Sequence, residues 1–390
     1  MSRQVADRSD TSSSSPVYPS KRIIGLFPEL LGVGGIQEAG RRTVAALDEI
    51  ARRRGWKTLF LSLNDVPGEH VVSSGTLDGQ FRAFGRAKVR FVLAATTAAL
   101  DNAAIVLAAH PNLALPAAFM KGLSPQLKSV VLCHGVEVWQ LLPRLRRAAL
   151  RRADLLIAPS RYTVQKIHDI QGIPIDKIRR LPWPLSPAFL SLAARSTELE
   201  PPAEFPNGKV ILTVGRWAAS ERYKGVDDLI RAFAQLRPAI PDLHLVVVGE
   251  GDDLMRLQKL AAEMNITDVV HFLQGLSREK LAACYGRADV FALPSTGEGF
   301  GLVFLEAMAF GKPIVAAAAG GATDLVENEI NGLLVPAHNP AQLANALGRL
   351  IRDDAFRSTL GRRGFERVHA QYSFGRFESE LDEILGSLAR

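Results

Sequence analysis

Two glutamates eight residues apart, Glu298 and Glu306, stand in a run that also holds Gly297, Gly299 and Gly301. The apolar residues before this run stop at Leu293 and resume near Leu302, so it reads as a glycine-rich turn between a strand and a helix. Free N–H groups at a helix start attract an anion, and glycines let a phosphate come close. Glu298 falls in the turn, where it can face a cleft. Glu306 falls about one turn into the helix. A carboxylate accepts two hydroxyl hydrogen bonds, so either residue suits a sugar or ribose diol. Acidic residues also favour a helix start by themselves. For Glu306 alone that plainer explanation is as good. Paired with Glu298 and the glycines, the ligand-binding explanation is the better one.

A second group is Val214-Gly215-Arg216 followed by Glu221-Arg222-Tyr223-Lys224-Gly225. Arg216 follows a strand end and Lys224 opens the next helix. A leaving diphosphate develops negative charge, and a forked Arg with a compact Lys neutralises it without a metal. A third is His134, just past the apolar strand 129–133 in Cys133-His134-Gly135-Val136-Glu137. A histidine at the carboxyl end of such a strand is a site candidate. A fourth is Gly34-Gly35 after the first strand, which misses the dinucleotide pattern G-x-G-x-x-G. No D-x-D triplet offers a carboxylate pair for a metal-bound diphosphate, and no H-E-x-x-H, P-loop or G-x-S-x-G is present.

The elements that must position these residues alternate between strand-like and helix-like runs, which predicts parallel sheets with helices on both faces. Strands are expected at 22–27, 56–63, 104–108, 129–133 and 154–158, and again at 209–214, 243–249, 269–273, 289–293 and 313–317. Between them, helices are expected at 36–54, 225–236, 252–264, 278–285 and 303–310. The prolines at 182, 184, 187, 201 and 202 predict a break in regular structure. With 390 residues, two domains are the default. The expected organisation is a disordered tail over 1–20, a first domain over 21–190, a linker over 191–205, a second domain over 206–364, and a helix from Phe365 that crosses back to the first domain. Two α/β units so joined present their loops to one cleft.

Composition narrows the class. At 47% hydrophobic and 22% charged, the chain reads as a globular protein of a reducing, cytoplasmic compartment. Cys133 and Cys284 read as buried apolar side chains. The run 91–109 is broken by Asp101 and Asn102, which argues against a membrane span. The net charge of +7 is uneven: residues 21–190 carry 24 Lys+Arg against 12 Asp+Glu, and residues 201–365 carry 17 against 19. No nucleic-acid motif accompanies the basic half, so nucleic acid is not expected as a partner. Leu142–Arg152 reads as a basic amphipathic helix, fit either for the inner face of an anionic membrane or for packing on a sheet with its arginines in water.

These segments together resemble the GT4 family of retaining glycosyltransferases over nearly the whole chain from Lys21, most strongly over 210–336. Glu298-Gly-Phe-Gly-Leu-Val-Phe-Leu-Glu306 is similar to the family's E-x7-E motif, Arg216 and Lys224-Gly225 to its diphosphate pair, and His134-Gly-Val-Glu137 to its HGxE segment. Gly34-Gly35 is similar to a loop near the donor phosphates, and Gly320-Gly321 with Asp324 to a segment of structural role. The resemblance implies the GT-B fold, two Rossmann-like parallel-sheet domains facing a cleft. It implies a UDP-sugar or GDP-sugar donor, no metal cofactor, and a saccharide or lipid-linked acceptor, as in surface polysaccharide or glycolipid synthesis by a hexosyltransferase. Arg216 and Lys224 would hold the diphosphate, Glu298 the sugar, and Glu306 the ribose. Phe300, Gly301 and Leu302 would line the donor, and His134 would touch the donor sugar. Two alternatives stay open: a nucleotide-sugar-binding module without catalysis, and a nucleoside-diphosphate-sugar epimerase on the same fold.

Overall fold

The structure is a computed structural model that describes residues 21–32, 34–73 and 78–388. The first sheet contains β1 (Arg22–Phe27), β2 (Lys57–Ser62), β3 (Gly68–Ser73), β4 (Asp78–Ala83), β5 (Ala103–Ala108), β6 (Lys128–Leu132), β7 (Leu155–Ala158) and β8 (Ile178–Arg180). Their order is β3-β4-β2-β1-β5-β6-β7-β8, parallel throughout except for the antiparallel β3–β4 pair at one edge. Central strands of a parallel sheet are covered on both faces, which demands near-continuous apolar runs. β1 obeys this: Ile23, Ile24, Leu26 and Phe27 are fully buried. Its helices are α1 (Gly35–Arg53), α2 (Lys88–Leu100), α3 (Ala114–Leu123), α4 (Arg144–Arg152) and α5 (Arg161–Gln171).

The second sheet holds β9 (Lys209–Val214), β10 (Leu243–Val248), β11 (Val270–Leu273), β12 (Val290–Leu293), β13 (Ile314–Ala317) and β14 (Gly332–Val335). It is parallel in the order β11-β10-β9-β12-β13-β14. Around it lie α6 (Pro187–Ala194), α7 (Val226–Leu236), α8 (Leu254–Glu263), α9 (Arg278–Arg287), α10 (Leu302–Ala309), α11 (Ala322–Leu325), α12 (Pro340–Arg352) and α13 (Asp354–Gln371). The final helix is α14 (Phe374–Leu388). One apolar cluster fills the space between the first sheet and α2 to α5. The other runs from the opposite face of that sheet through Trp183, Leu185 and Phe189 into the second sheet and on to Phe377 and Leu381 of α14.

Several local expectations are corrected. The proline-rich stretch is not irregular throughout. Pro187 opens α6, because a helix's first residue needs no N–H partner, and the Ser186 hydroxyl caps it by accepting from the Phe189 amide at 3.1 Å. Phe189 is buried against Tyr285 and Phe310, so the chain packs on the second sheet's helices from Pro187 onward. The single helix expected from Phe365 is two. α13 already begins at Asp354, capped by Asp353, and the chain turns at Tyr372–Ser373 before α14. α14 lies on α1, where Glu378 meets Arg53 at 2.7 Å and Asp382 meets Arg54 at 2.5 Å. The run 91–109 divides into α2 and β5 at Asn102, whose φ of 52° stops the helix. No helix of the described residues is long and apolar enough to cross a membrane. Cys133 and Cys284 are buried and unpaired, and burial pushes both thiols up, Cys284 to about 12. The expectation for residues 1–20 lies outside the described residues.

Candidate active site

Arg216 stands one residue beyond Gly215 at the carboxyl end of β9. The chain then makes a 3-10 turn over Ala219–Lys224 that ends at Gly225 with φ of 70°. A Cβ at Gly225 would meet the Pro294 carbonyl at 2.6 Å, so this close crossing of two loops requires glycine. The crossing is held by the Thr296 amide donating to the Tyr223 carbonyl at 2.8 Å, and the Tyr223 ring lies against the Gly297 backbone. It brings two distant motifs together: the Lys224 ammonium stands 3.8 Å from the Glu298 carboxylate.

Glu221 completes the group. Its carboxylate accepts from the Arg216 guanidinium and lies 3.5 Å from the Lys224 nitrogen. Burial pushes the Glu221 carboxyl up, but Arg216 and Lys224 outweigh it and hold the group below its ordinary value. The same contact raises Arg216. Arg216 is 64% exposed, while Lys224 and Glu298 are 15% and 17% exposed. The guanidinium is thus free to turn onto an incoming anion, and the ammonium is already fixed. Arg222, between them in sequence, faces away and pairs with Asp253 at 2.9 Å.

The loop Gly297–Gly301 leads into α10, and no described side chain caps the start of that helix. An uncapped start leaves N–H groups to be satisfied by a ligand. Phe300 is buried beneath the loop and Leu302 begins the helix half-buried. Glu306 follows one turn on. The Tyr285 hydroxyl donates to its carboxylate at 2.9 Å. Burial pushes the Glu306 carboxyl up to about 7, against the opposing pull of Tyr285 and of Arg42 on α1. Arg42 is almost completely buried; it donates to the Pro184 carbonyl and, at 3.0 Å, to Glu38.

From the first domain, Gly34 precedes α1, and its carbonyl accepts the Glu38 amide at 2.9 Å. Arg278 on α9 comes within 4.0 Å of Glu38. The start of α1, with Gly34 and Gly35, therefore faces the α9–α10 wall that carries Glu306. Val33 lies outside the described residues. His134 follows β6 at the domain junction. Its Nε2 pairs with the Ala109 carbonyl at 2.7 Å and its ring stacks on Trp183 at 5.4 Å, leaving Nδ1 for any ligand. The neighbouring His110 is held down to about 4, mainly by burial.

The two domains touch at this point. A Cβ on Gly299 would lie 2.0 Å from the His134 carbonyl, so no other residue permits the approach. The Ser160 hydroxyl donates to the Gly299 carbonyl at 2.7 Å. The Asp324 carboxylate accepts the Arg161 amide at 2.6 Å, reaching across to the first turn of α5.

The structure thus brings Arg216, Lys224 and Glu298 into one cluster. Glu306 stands at a second point, with Arg42 and Tyr285, and His134 forms part of the wall where the domains meet. Sequence reasoning gave no role to Glu221, Tyr285, Arg42 or Ser160. Only Glu221 carried a signal, as an acid placed between two candidate phosphate-binding cations. Among the described residues no three His, Cys, Asp or Glu side chains gather as metal ligands.

Known proteins resemble this chain in sequence and in fold. Residues 195–367 match the family model described as glycosyl transferases group 1, and residues 41–188 match glycosyltransferase family 4. A GDP-mannose-dependent alpha-(1-6)-phosphatidylinositol monomannoside mannosyltransferase of Mycobacterium tuberculosis is 32% identical over 71% of this chain and 74% of its own. The D-inositol 3-phosphate glycosyltransferase of Salinispora tropica is 42% identical over 46% of this chain, and the match spans only 38% of that protein's length. Among solved structures, Anabaena HepE in complex with UDP superimposes with a TM-score of 0.73 at 21% identity, covering 94% of this chain and all of that one. Sucrose-phosphate synthase from Thermosynechococcus elongatus gives 0.74 at 24% identity, over 94% and 99%. Their likeness establishes the two-domain GT-B fold, and the two family models with the mycobacterial relative establish that this chain belongs to glycosyltransferase family 4.

Proposed function

We propose that the protein transfers a hexose from a nucleoside-diphosphate sugar to a saccharide or lipid-linked acceptor, with retention at the anomeric carbon and without a metal. The observation that carries this reading is the Arg216–Glu221–Lys224–Glu298 cluster beside the uncapped start of α10. In the transfer, the bond from anomeric carbon to phosphate oxygen breaks and the acceptor oxygen bonds to that carbon. The acceptor's proton passes to the departing phosphate, so the protein supplies no nucleophile. Charge grows on the diphosphate as it leaves. Lys224 and Arg216 stabilise it there, and preorganised groups aimed at developing charge are the strongest catalytic device available to a protein.

Glu298 binds hydroxyls of the sugar, and the α10 amides near Gly301 and Leu302 bind phosphate. Glu306, oriented by Tyr285, accepts the ribose diol. Gly34 and Gly35 leave room for the donor phosphates at the start of α1, and His134 offers Nδ1 to the sugar. The relatives' names point to two bases: guanine from the mycobacterial mannosyltransferase and uracil from the HepE complex. The mannosyltransferase's name also supports a phosphoinositide-type acceptor.

The test is a thermal-shift panel of UDP, GDP and ADP with EDTA present. A ligand of the folded state at a hundred times its Kd stabilises by about 2.7 kcal/mol. We expect one base to raise Tm despite EDTA and the Arg216→Ala protein to lose the shift. No shift with any nucleotide, or one abolished by EDTA, contradicts this reading.

A further inference from the structure

Among the described residues sixteen large apolar side chains stand exposed, and thirteen of them belong to the first domain. They concentrate on three neighbouring helices. On α2, Val89, Leu93 and Leu100 face outward, while Phe91, Ala95 and Ala99 face the sheet. On α3, Leu115, Phe119 and Leu123 face outward, opposite Ala114, Ala117 and Met120. Leu141 and Leu145 continue the surface at the start of α4. α3 lies between the other two and touches both, so the exposed rows run side by side. Phe119 is 54% exposed and Leu145 is 74% exposed.

A surface helix normally has one apolar face, and a helix apolar all round is one covered on both sides. α3 is apolar all round apart from Lys121, and α2 is mostly so, with Thr97 between Leu93 and Leu100 on its outer row and charges only at Lys88 and Arg90. The sheet covers their inner sides. Their outer sides are covered by no other described element. The basic segment 142–152 therefore does not act as a separate amphipathic helix, since Ala149 and Leu150 of α4 are turned into the core. It forms the charged border of a wider apolar face.

The charge identifies the occupant. Residues 88–152 contain nine Lys+Arg and two acids. Asp101 is paired with Arg22 at 2.8 Å, and the Glu137 carboxylate is turned to the His134 amide. Arg144, Arg146, Arg147, Arg151 and Arg152 form no salt bridge among the described residues. A nucleic acid would take these cations but leave the exposed Phe and Leu side chains unpaired. A second copy meeting the same face by two-fold symmetry would set one basic border on another. An anionic bilayer satisfies both, with apolar side chains below the headgroups and arginines among them.

The three helices begin at the carboxyl ends of β4, β5 and β6, on the cleft side of the sheet. Val89, Leu115 and Leu141 thus lie toward the mouth of the candidate active site, with the rows running away from it. We propose that the outer face of α2, α3 and α4 docks on an anionic lipid bilayer and admits a lipid-linked acceptor to the cleft. The second clause rests on the transfer reading above; the docking itself does not.

The experiment is cosedimentation of the full chain with phosphatidylcholine vesicles, with and without phosphatidylglycerol, at low and high salt. Binding is expected only to the anionic vesicles and is expected to weaken with salt. Leu93→Glu, Phe119→Glu and Leu145→Glu combined should lower vesicle binding at least about tenfold, since each places a carboxylate where the bilayer requires an apolar group. Arg144→Gln and Arg147→Gln should each lower it about fivefold. These residues are exposed, so Tm and the nucleotide-induced shift of the variants should match the parent's. Equal sedimentation of parent and triple variant overturns the proposal, as does equal binding to neutral and anionic vesicles. So does a concentration-dependent dimer that the triple variant loses, which would assign the face to a second copy. Vesicle binding as described, with no Tm shift from any nucleotide in either protein, keeps the docking face and removes the transfer reading.

Discussion

The second domain places its charges at strand ends, and the first places them on its outer helices. At the ends of β9 and β12, Arg216, Glu221, Lys224 and Glu298 form one connected group. Residues 201–365 are nearly neutral overall, with 17 cations and 19 acids. The first domain's contribution at the same cleft is His134, Ser160, the backbone of Gly135 against Gly299, and an Arg42 whose charge is paired with Glu38 of its own helix. Its surplus of twelve cations lies elsewhere, over 21–190. On the two proposals made above, the difference is a division of labour. A diphosphate needs fixed cations in one geometry, so the second domain concentrates them in one place. A surface-seeking domain needs cations spread over an area, where exact spacing matters little.

That contrast predicts its own largest effect. Lys224→Ala or Arg216→Ala should lower kcat by about 10²–10³ with the fold intact, because each removes a partner of the leaving diphosphate. Comparable loss from Arg144→Ala or Arg147→Ala, assayed on a water-soluble acceptor, would break the division. Near-normal turnover in the Lys224→Ala and Arg216→Ala proteins would break it from the other side. Circular dichroism alongside the assay separates lost chemistry from lost fold.

A smaller effect sharpens the picture inside the second domain. Glu306 has its carboxyl pushed up to about 7 by burial. A raised acid binds its proton more tightly when folded, so the group contributes stability at low pH, and the contribution is lost as pH rises from the ordinary carboxyl range to about 7. Ligand binding should run the other way, because only the carboxylate accepts both hydroxyls of a ribose. Nucleotide affinity should therefore increase as pH rises through 7 while the ligand-free protein loses some stability. In Glu306→Gln both trends should flatten. Thermal melts with and without nucleotide across this range measure both, and parallel slopes would show that Glu306 does not touch the nucleotide.

The strands of both sheets were legible because buried parallel strands leave apolar runs bounded by polar residues, as at 22–27 and 209–214. The glycine-rich turn was legible because only glycine tolerates the approach of Gly299 to His134. The edge pair β3–β4 was not, since Gly68, Glu69, His70 and Gly79 interrupt any apolar alternation. β8 offers one apolar residue, Ile178, before two arginines, and β14 opens on a glycine with three apolar residues after it. Nor were the pairings that complete the site. Tyr285 with Glu306 and Arg42 with Pro184 join residues far apart in the chain, and spacing carries no trace of them. Asp324 was expected to be structural. It is, but its partner is the other domain's α5.

Ser160 gives the smallest effect, and it tests the contact between the domains directly. Its hydroxyl accepts from the Thr163 amide at 3.1 Å, capping α5, and donates to the Gly299 carbonyl at 2.7 Å. Ser160→Ala removes both, at a cost of about 1 kcal/mol for the cap alone. If that were the whole effect, Tm would fall by a few degrees and the kinetics would be unchanged. The second bond ends on the loop that leads to Gly301 and α10, so loosening it should also raise the donor KM several-fold with kcat nearly unchanged. Asp324→Asn offers the control. It keeps an acceptor for the Arg161 amide and weakens the attraction to the guanidinium, without touching the Gly299 loop. It should shift Tm alone. An equal rise in KM from both variants would mean that the donor responds to domain closure as a whole, and not to the Gly299 loop through Ser160.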